Sequence, residues 1–248
     1  MRMRWASVAC ASALLPACGR THQATAPVAA HAKPPARAAH SKTELEAAFR
    51  AAFGKPSPVT IGTKDVAMTF TPAGLVDVDR SAGILALVAN GQNKDDCHAC
   101  TGSLSVRYVK RTPAGFQPWG KADGYQFNGN GFGGPPQWKV RRDLEDNPVL
   151  AIETGFTGQG YTCAAQDLAE LTPDGAVTRA YGVPVEYDDS GVGDEGGHRH
   201  ITTLEGQVRP LVKGHRFEVV FHGTRSKRML YERRGETYAT RDKPPPTC

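Results

Sequence analysis

The sequence predicts a mainly β fold, an antiparallel meander of the sandwich, barrel or partial-propeller type, with one amphipathic helix at its N-terminal side. Two observations lead to this prediction. Strand-like runs alternate with turn signals along residues 66–240, as is typical of all-β domains. Helical spacing of apolar residues is clear only in the short segment 42–53. We therefore expect a single β-rich domain over residues 41–240.

The helix is predicted from its start signal, its apolar face and its stop signal. Ser41 and Glu44 have the spacing of a capping box, in which each side chain accepts a hydrogen bond from the other residue's backbone N–H. Gly54 is a natural C-terminal stop, and Pro56 follows it. The face expected to pack on the sheet contains Leu45, Ala48, Phe49, Ala52 and Phe53.

The strands are predicted from apolar runs around a recurring turn motif. Thr-Pro-x-Gly occurs at 71–74, 112–115 and 172–175, and its proline and glycine suit a type I turn. The three copies are unequally spaced, so we interpret them as hairpin turns rather than propeller repeats. The predicted strands are 66–70, 75–78, 84–89, 104–110, 137–141, 149–153, 161–165, 168–171, 177–187, 217–222, 228–233 and 237–240.

The first eighteen residues have the pattern of a secretory signal. Arg2 and Arg4 precede the uncharged run 5–15, which is too short to span a bilayer. Leu15-Pro16-Ala17-Cys18 resembles the bacterial lipobox. That resemblance implies removal of residues 1–17 and attachment of acyl chains such as palmitate to Cys18, which together make a stable membrane anchor. An ordinary signal peptide cleaved nearby is the alternative.

The resemblance also implies a location and an organisation for the rest of the chain. Gly19, rather than Asp, favours the outer membrane, so the lipoprotein would sit in its inner leaflet and face the periplasm. Residues 18–40 are rich in Ala and Pro and have too few large apolar side chains for a core, so we expect a disordered tether. Residues 241–248 form a Pro-rich C-terminal tail. The formal net charge of +5 is small and scattered, and we expect no nucleic-acid partner.

The exported compartment changes how the cysteines are interpreted. Cys97, Cys100, Cys163 and Cys248 remain after the leader, and outside the cytoplasm four cysteines indicate two disulfides with three possible pairings. We favour Cys97 with Cys100, and Cys163 with Cys248. A metal site or a thiol-redox pair at Cys97-His98-Ala99-Cys100 is the alternative.

A second metal candidate follows the long acidic and Gly-rich segment 188–197. If His198 and His200 lie on a strand, their side chains share a face, and Asp194 or Glu195 would complete a divalent site. The alternative is a flexible acidic loop next to exposed histidines. We therefore expect no cofactor besides the attached lipid, and a bound divalent metal is the alternative.

Two glycine-rich segments are the candidates for ligand binding. Gly129-Asn130-Gly131-Phe132-Gly133-Gly134 matches a nucleotide motif by letter, but Pro135 and Pro136 exclude the helix that the motif requires. We expect a mobile surface loop with Phe132 at its tip, and the alternative is that this exposed aromatic residue is a binding anchor. The segment 155–162 contains Phe156 and Tyr161, and its glycines suggest a bulge or a close backbone approach.

The Cys-His-Ala-Cys motif, the segment Gly-Phe-Thr-Gly-Gln-Gly-Tyr-Thr and the Tyr-containing end of the chain together resemble a group of uncharacterised secreted or lipid-anchored bacterial β-rich proteins. The resemblance implies a fold and a location but no activity. The sequence shows no catalytic signature, so we expect a non-enzymatic binding protein of the cell envelope whose partner is a periplasmic protein or a peptidoglycan component. An inhibitor or immunity protein against a cell-wall hydrolase is an alternative, as is a metal-binding or thiol-redox protein.

Overall fold

A computed structural model describes residues 40–62, 67–95, 97, 100–121, 123–192, 200–246 and 248. Ala39–Cys248 form one compact unit. The signal peptide, Cys18 and most of the tether lie outside the described residues. Within the described part, the chain is mainly antiparallel β with one short helix, α1 (Lys42–Phe53), as the sequence predicts.

The first sheet is an antiparallel meander that contains six described strands. They are β1 (Val59–Gly62), β2 (Ala67–Asp79), β3 (Ile84–Asn93), β4 (Ser103–Thr112), β5 (Gly115–Trp119) and β6 (Tyr125–Asn128). The order is β1-β2-β3-β4-β5, and β6 also pairs with β4. The chain leaves β6 through the segment that contains Phe132 and enters the second sheet.

The second sheet continues the meander with eight described strands and curls like half a barrel. They are β7 (Gln137–Arg141), β8 (Val149–Gly158), β9 (Tyr161–Thr172), β10 (Gly175–Asp188), β11 (Thr203–Val212), β12 (Arg216–Gly223), β13 (Lys227–Arg234) and β14 (Thr237–Ala239). Each strand pairs with its neighbour in the chain. The curl brings β14 into contact with β10 and encloses a core around Phe217 and Phe221.

Helix α1 and the two sheets form successive layers, and β3 lies in the middle, buried on both faces. One set of its alternate side chains packs on β8 and β9, and the other set packs on α1. The two sets are Ile84, Ala86 and Val88, and Leu85, Leu87 and Ala89. This double burial explains why β3 has a continuous apolar run instead of an alternating pattern.

Helix α1 has the predicted ends and the predicted buried face. The Ser41 hydroxyl accepts the Glu44 N–H at 3.1 Å, and Glu44 Oε2 accepts the Ser41 N–H at 3.1 Å, which completes the capping box. Gly54 ends the helix at φ 73°. Phe49 is fully buried against the first sheet and stacks on Phe53. None of the described helical residues belongs to a helix long and apolar enough to cross a membrane.

The Thr-Pro-x-Gly motif forms hairpin turns at two of its three positions. In both, the threonine hydroxyl donates to the glycine carbonyl, from Thr112 to Gly115 at 3.1 Å and from Thr172 to Gly175 at 2.9 Å. The turn predicted at 71–74 is wrong, because β2 runs through it as one strand with a shift in register between Pro72 and Gly74.

Three further strand predictions differ from the structure. The two segments predicted as separate strands, 161–165 and 168–171, belong to one strand, β9. The strand predicted at 149–153 is longer than expected, because β8 continues to Gly158. Strands β1, β5, β6 and β11 were not predicted. Strand β11 lacks the alternating apolar pattern of a strand, because its two buried side chains, Leu204 and Val208, are separated by three residues that are exposed or half-buried.

Candidate functional site

The loop that joins the two sheets is held by backbone hydrogen bonds to the segment around the first cysteine pair. The Gly133 N–H donates to Cys100 O at 2.7 Å, the Gly129 N–H to Gly102 O at 2.8 Å, and the Gly102 N–H to Gly134 O at 3.2 Å. A Cβ atom on Gly102 would lie 2.4 Å from the Gly134 carbonyl, so the close backbone approach requires glycine there.

Phe132 lies at the tip of this loop and is 60% exposed. Its φ of 56° is in the left-handed region, which is uncommon for a bulky residue and gives the loop its tight bend. The neighbouring Asn130 side chain accepts the Gly155 N–H at 2.9 Å. This bond joins the loop to β8, which belongs to the second sheet, so Phe132 is presented by a fixed backbone.

The β8–β9 hairpin faces the Phe132 loop and forms the other side of the candidate site. Gln159 and Gly160 both have positive φ, 53° and 82°, as the two central residues of a type I′ turn do. The glycine-rich segment 155–162 is therefore two strand ends and a tight turn. Phe156 projects from β8 and is 45% exposed, and its Cα partner on β9 is Cys163.

Both disulfides that the sequence favoured are present. Cys97 pairs with Cys100, with Cα atoms 5.0 Å apart, and Cys163 pairs with Cys248 at 6.1 Å. The second bond fastens the C-terminal tail beside Phe156. Asp242 Oδ2 also accepts the Leu230 N–H at 2.6 Å, so the tail is part of the compact unit.

A cleft of about 340 Å³ lies where the loop, the hairpin and β10 meet. Phe132 and Phe156 are its aromatic side chains. Its polar lining is Asn130, Gln137, Glu153, Thr157, Thr162 and Glu186. Two adjoining depressions also include Phe156, one together with Tyr161 and Tyr187, the other with Pro184 and Pro246, and both include Cys248. The cleft and the two depressions therefore meet at Phe156.

Comparison with protein-family models, curated proteins and solved structures finds no match to this chain.

The electrostatics of the cleft are set by two half-buried carboxylates. Glu153 accepts a hydrogen bond from Gln166 Nε2 at 2.7 Å. Burial raises the pKa of Glu186, and the nearby carboxylates of Glu153, Glu205 and Asp188 raise it further. Glu205 is the Cα partner of Glu186 on β11, so two acids face each other across adjacent strands.

The structure brings together the predicted binding residues from two distant parts of the chain. Phe132 and Phe156 line one cleft, and Tyr161 lies in the depression next to it. The loop of Phe132 is hydrogen-bonded to the segment of the first cysteine pair. In that disulfide each sulfur is bonded to the other, so in this state neither Cys97 nor Cys100 is a thiolate ligand.

The predicted metal residues fall largely outside the described part of the chain. Asp194, Glu195, His198 and the cysteine-pair residue His98 are not described, and His200 is described as exposed. Among the described residues, no group of three His, Cys, Asp or Glu side chains is arranged to hold a metal ion.

Sequence reasoning missed Gln137, Glu153 and Glu186. Each lies on a strand, and carboxylates are too numerous in the sequence for any pair to stand out. Their proximity depends on how β7, β8, β9 and β10 pair. A faint signal does exist at Glu153, because it is the first charged residue after the apolar run of β8.

Proposed function

We propose that this chain is a lipid-anchored binding protein of the bacterial cell envelope, acylated on Cys18 and facing the periplasm. In this proposal its β domain binds a ligand or partner segment in the cleft between Phe132 and Phe156. The anchor is supported by the leader and by the lipobox-like residues 15–18. The cleft is supported by the described geometry.

The observation that supports the binding proposal most strongly is that two exposed aromatic rings, Phe132 and Phe156, line one cleft whose backbone is held by hydrogen bonds and a disulfide. Aromatic side chains dominate binding hot spots because they offer a large contact area and lose little rotamer entropy. Here the backbone beneath each ring is already fixed, by the Asn130–Gly155 hydrogen bond, by the type I′ turn and by the Cys163–Cys248 disulfide. A preorganised site loses less entropy on binding than a flexible loop.

The size of the cleft also suits a small ligand or one or two side chains of a larger partner. Its volume of about 340 Å³ lies at the lower end of the range for ligand pockets. Its lining combines two aromatic rings with a few hydrogen-bonding groups, which is the usual composition of such sites.

The proposal is tested by affinity capture from detergent-solubilised envelope with three full-length baits: the natural chain, a Phe132→Ala/Phe156→Ala double variant and a Leu211→Ala control. Leu211 is an exposed apolar residue on β11, six residues from Glu205 and so about 20 Å along the strand from the cleft. We expect a component that the natural chain and the control retain and the double variant loses. Capture of the same components by all three baits, or of none by the natural chain, would contradict the proposal.

The anchor has a separate test. Mass spectrometry of the membrane-extracted protein should give an N-terminal peptide that begins at Cys18 and carries the mass of a diacylglycerol and an acyl chain. An unmodified Cys18, or cleavage elsewhere, would remove the anchor from the proposal and leave the cleft untouched.

A further inference from the structure

The charge of the cleft is opposite to that of the chain. The sequence has a formal net charge of +5, yet the described lining contains Glu153 and Glu186 and no Lys, Arg or His. An acidic cleft on a basic chain attracts cations and repels anions. The residues around Glu153 and Glu186 therefore indicate the charge of the ligand that the cleft would bind.

Three buried glutamates in or beside the second sheet each have an arginine partner. The pairs are Glu145 with Arg233 at 2.9 Å, Glu170 with Arg179 at 2.6 Å and Glu218 with Arg228 at 3.1 Å. Among the described residues, no Lys or Arg forms an ion pair with Glu153 or Glu186. A carboxylate that loses water without a cationic partner is costly, so an incoming cation gains more here than at a solvated acid.

An unused hydrogen-bond acceptor accompanies Glu153. Gln166 is 5% exposed and is bound to Glu153 through Nε2, while its Oε1 has no partner among the described residues. Gln166 does not itself line the cleft. Its hydrogen bond from Nε2 holds the Glu153 carboxylate in position at the cleft wall without adding a positive charge beside it.

The aromatic side of the cleft provides a second surface for binding the ligand, next to the two carboxylates. Phe132 and Phe156 offer apolar surface, and the faces of aromatic rings also attract cations. A ligand that places an alkyl or aryl group on the rings and a positive charge at the carboxylates would use both kinds of surface at once.

We propose that the ligand of this cleft carries a protonated amine or guanidinium next to an apolar group, with the cation at Glu153 and Glu186 and the apolar group on Phe132 and Phe156. The inference rests on the proposed function, since it names the chemistry of the same site. A free amine and a basic side chain of a polypeptide share this chemistry.

The test compares probes that differ only in their charge. The peptide probe is acetyl-Phe-Lys-amide, and its neutral counterpart is acetyl-Phe-norleucine-amide, which lacks the ammonium. The small-molecule probes are phenethylamine and phenethyl alcohol. Affinities are measured by isothermal titration calorimetry with the full chain in nanodiscs of neutral lipid. If the natural ligand is a polypeptide, the dissociation constant of the charged peptide should be at least ten-fold lower than that of the neutral peptide. If the natural ligand is a free amine, the same difference should separate phenethylamine from phenethyl alcohol.

Variants assign the preference to the two acids. Glu153→Gln and Glu186→Gln should each reduce the affinity for the charged probe toward that of its neutral counterpart, and leave the neutral probe unchanged. Glu232→Gln, an exposed acid on β13, is the matched control and should change neither.

The outcomes separate this inference from the proposed function. Equal binding of charged and neutral probes, lost in Phe156→Ala, would overturn the inference and leave the cleft as a binding site. A charge preference that persists in both glutamine variants would also overturn it. If no probe binds and Phe132→Ala/Phe156→Ala loses no captured component, both proposals fail.

Discussion

The bond between Cys163 and Cys248 should contribute more to stability than any other single link in the chain. It joins residues 85 apart in sequence and closes most of the second sheet into one loop. In the chain-entropy treatment, a loop of this length removes about 4.6 kcal/mol of conformational entropy from the unfolded state at 25 °C. The same relation gives only about 1–2 kcal/mol for Cys97–Cys100, whose residues are 3 apart.

The test is equilibrium unfolding of the full-length chain in urea without reductant, followed by tryptophan fluorescence. Cys163→Ser/Cys248→Ser should lower the free energy of unfolding by roughly 3–5 kcal/mol, and Cys97→Ser/Cys100→Ser, the matched control, by about 1–2 kcal/mol. The large loss is expected because the bond constrains a long stretch of the unfolded chain, whereas in the folded state the tail is already held by other contacts, such as the hydrogen bond from the Leu230 N–H to Asp242. Equal losses from the two double variants, or a smaller loss from the long-range pair, would refute the reasoning.

Two further predictions concern the helix and the cleft acids. Phe49→Ala should lower the free energy of unfolding by about 3–5 kcal/mol, because the fully buried ring joins α1 to the first sheet; a loss under about 1 kcal/mol in urea unfolding would contradict that role. Because the pKa of Glu186 is raised above its ordinary value of 4.5, its protonated form favours folding, and that contribution is present at low pH and is lost as pH rises through the raised pKa. Glu186→Gln should therefore match the natural chain near pH 4 and exceed its stability at pH 7 by roughly 0.2–1 kcal/mol, since it relieves repulsion with Glu205; a less stable variant at pH 7 would contradict this.

Local signals in the sequence were sufficient where local contacts determine the structure. The ends of α1 follow from Ser41, Glu44 and Gly54, whose hydrogen bonds and backbone angles involve only near neighbours. The two hairpin turns at 112–115 and 172–175 are local in the same sense, because the threonine and glycine of each motif bond to one another.

Long-range packing explains the turn that was predicted wrongly. At 71–74 the same four-residue motif stays extended as part of β2, paired with β3. A Cβ atom on Gly74 would lie 2.5 Å from the ring of Trp138, so this glycine makes room for a side chain of the second sheet. No pattern within the motif distinguishes a glycine needed for packing from a glycine needed for a turn.

In the candidate site, the aromatic residues could be predicted from local sequence and the acidic residues could not, because the latter come together only through long-range strand pairing. Phe132 and Phe156 stand out in the sequence because each is a large aromatic residue among glycines. Glu153 and Glu186 do not stand out, because their meeting depends on how three strands pair. The pairing of β9 with β10 shifts register between Pro184 and Glu186, and the next pair sets Glu186 opposite Ala164. That irregularity has no clear signal in the amino-acid pattern.

The central claim, that the cleft between Phe132 and Phe156 binds a ligand, is tested most directly by hydrogen–deuterium exchange of the full chain with and without acetyl-Phe-Lys-amide. Bound probe should slow exchange in peptides that cover 128–134 and 155–162, where the Gly155 N–H to Asn130 bond joins the two walls. Peptides over 209–216, at the far end of β11, should be unchanged. Saturating probe that protects neither cleft segment, or that protects 209–216 instead, would contradict the claim.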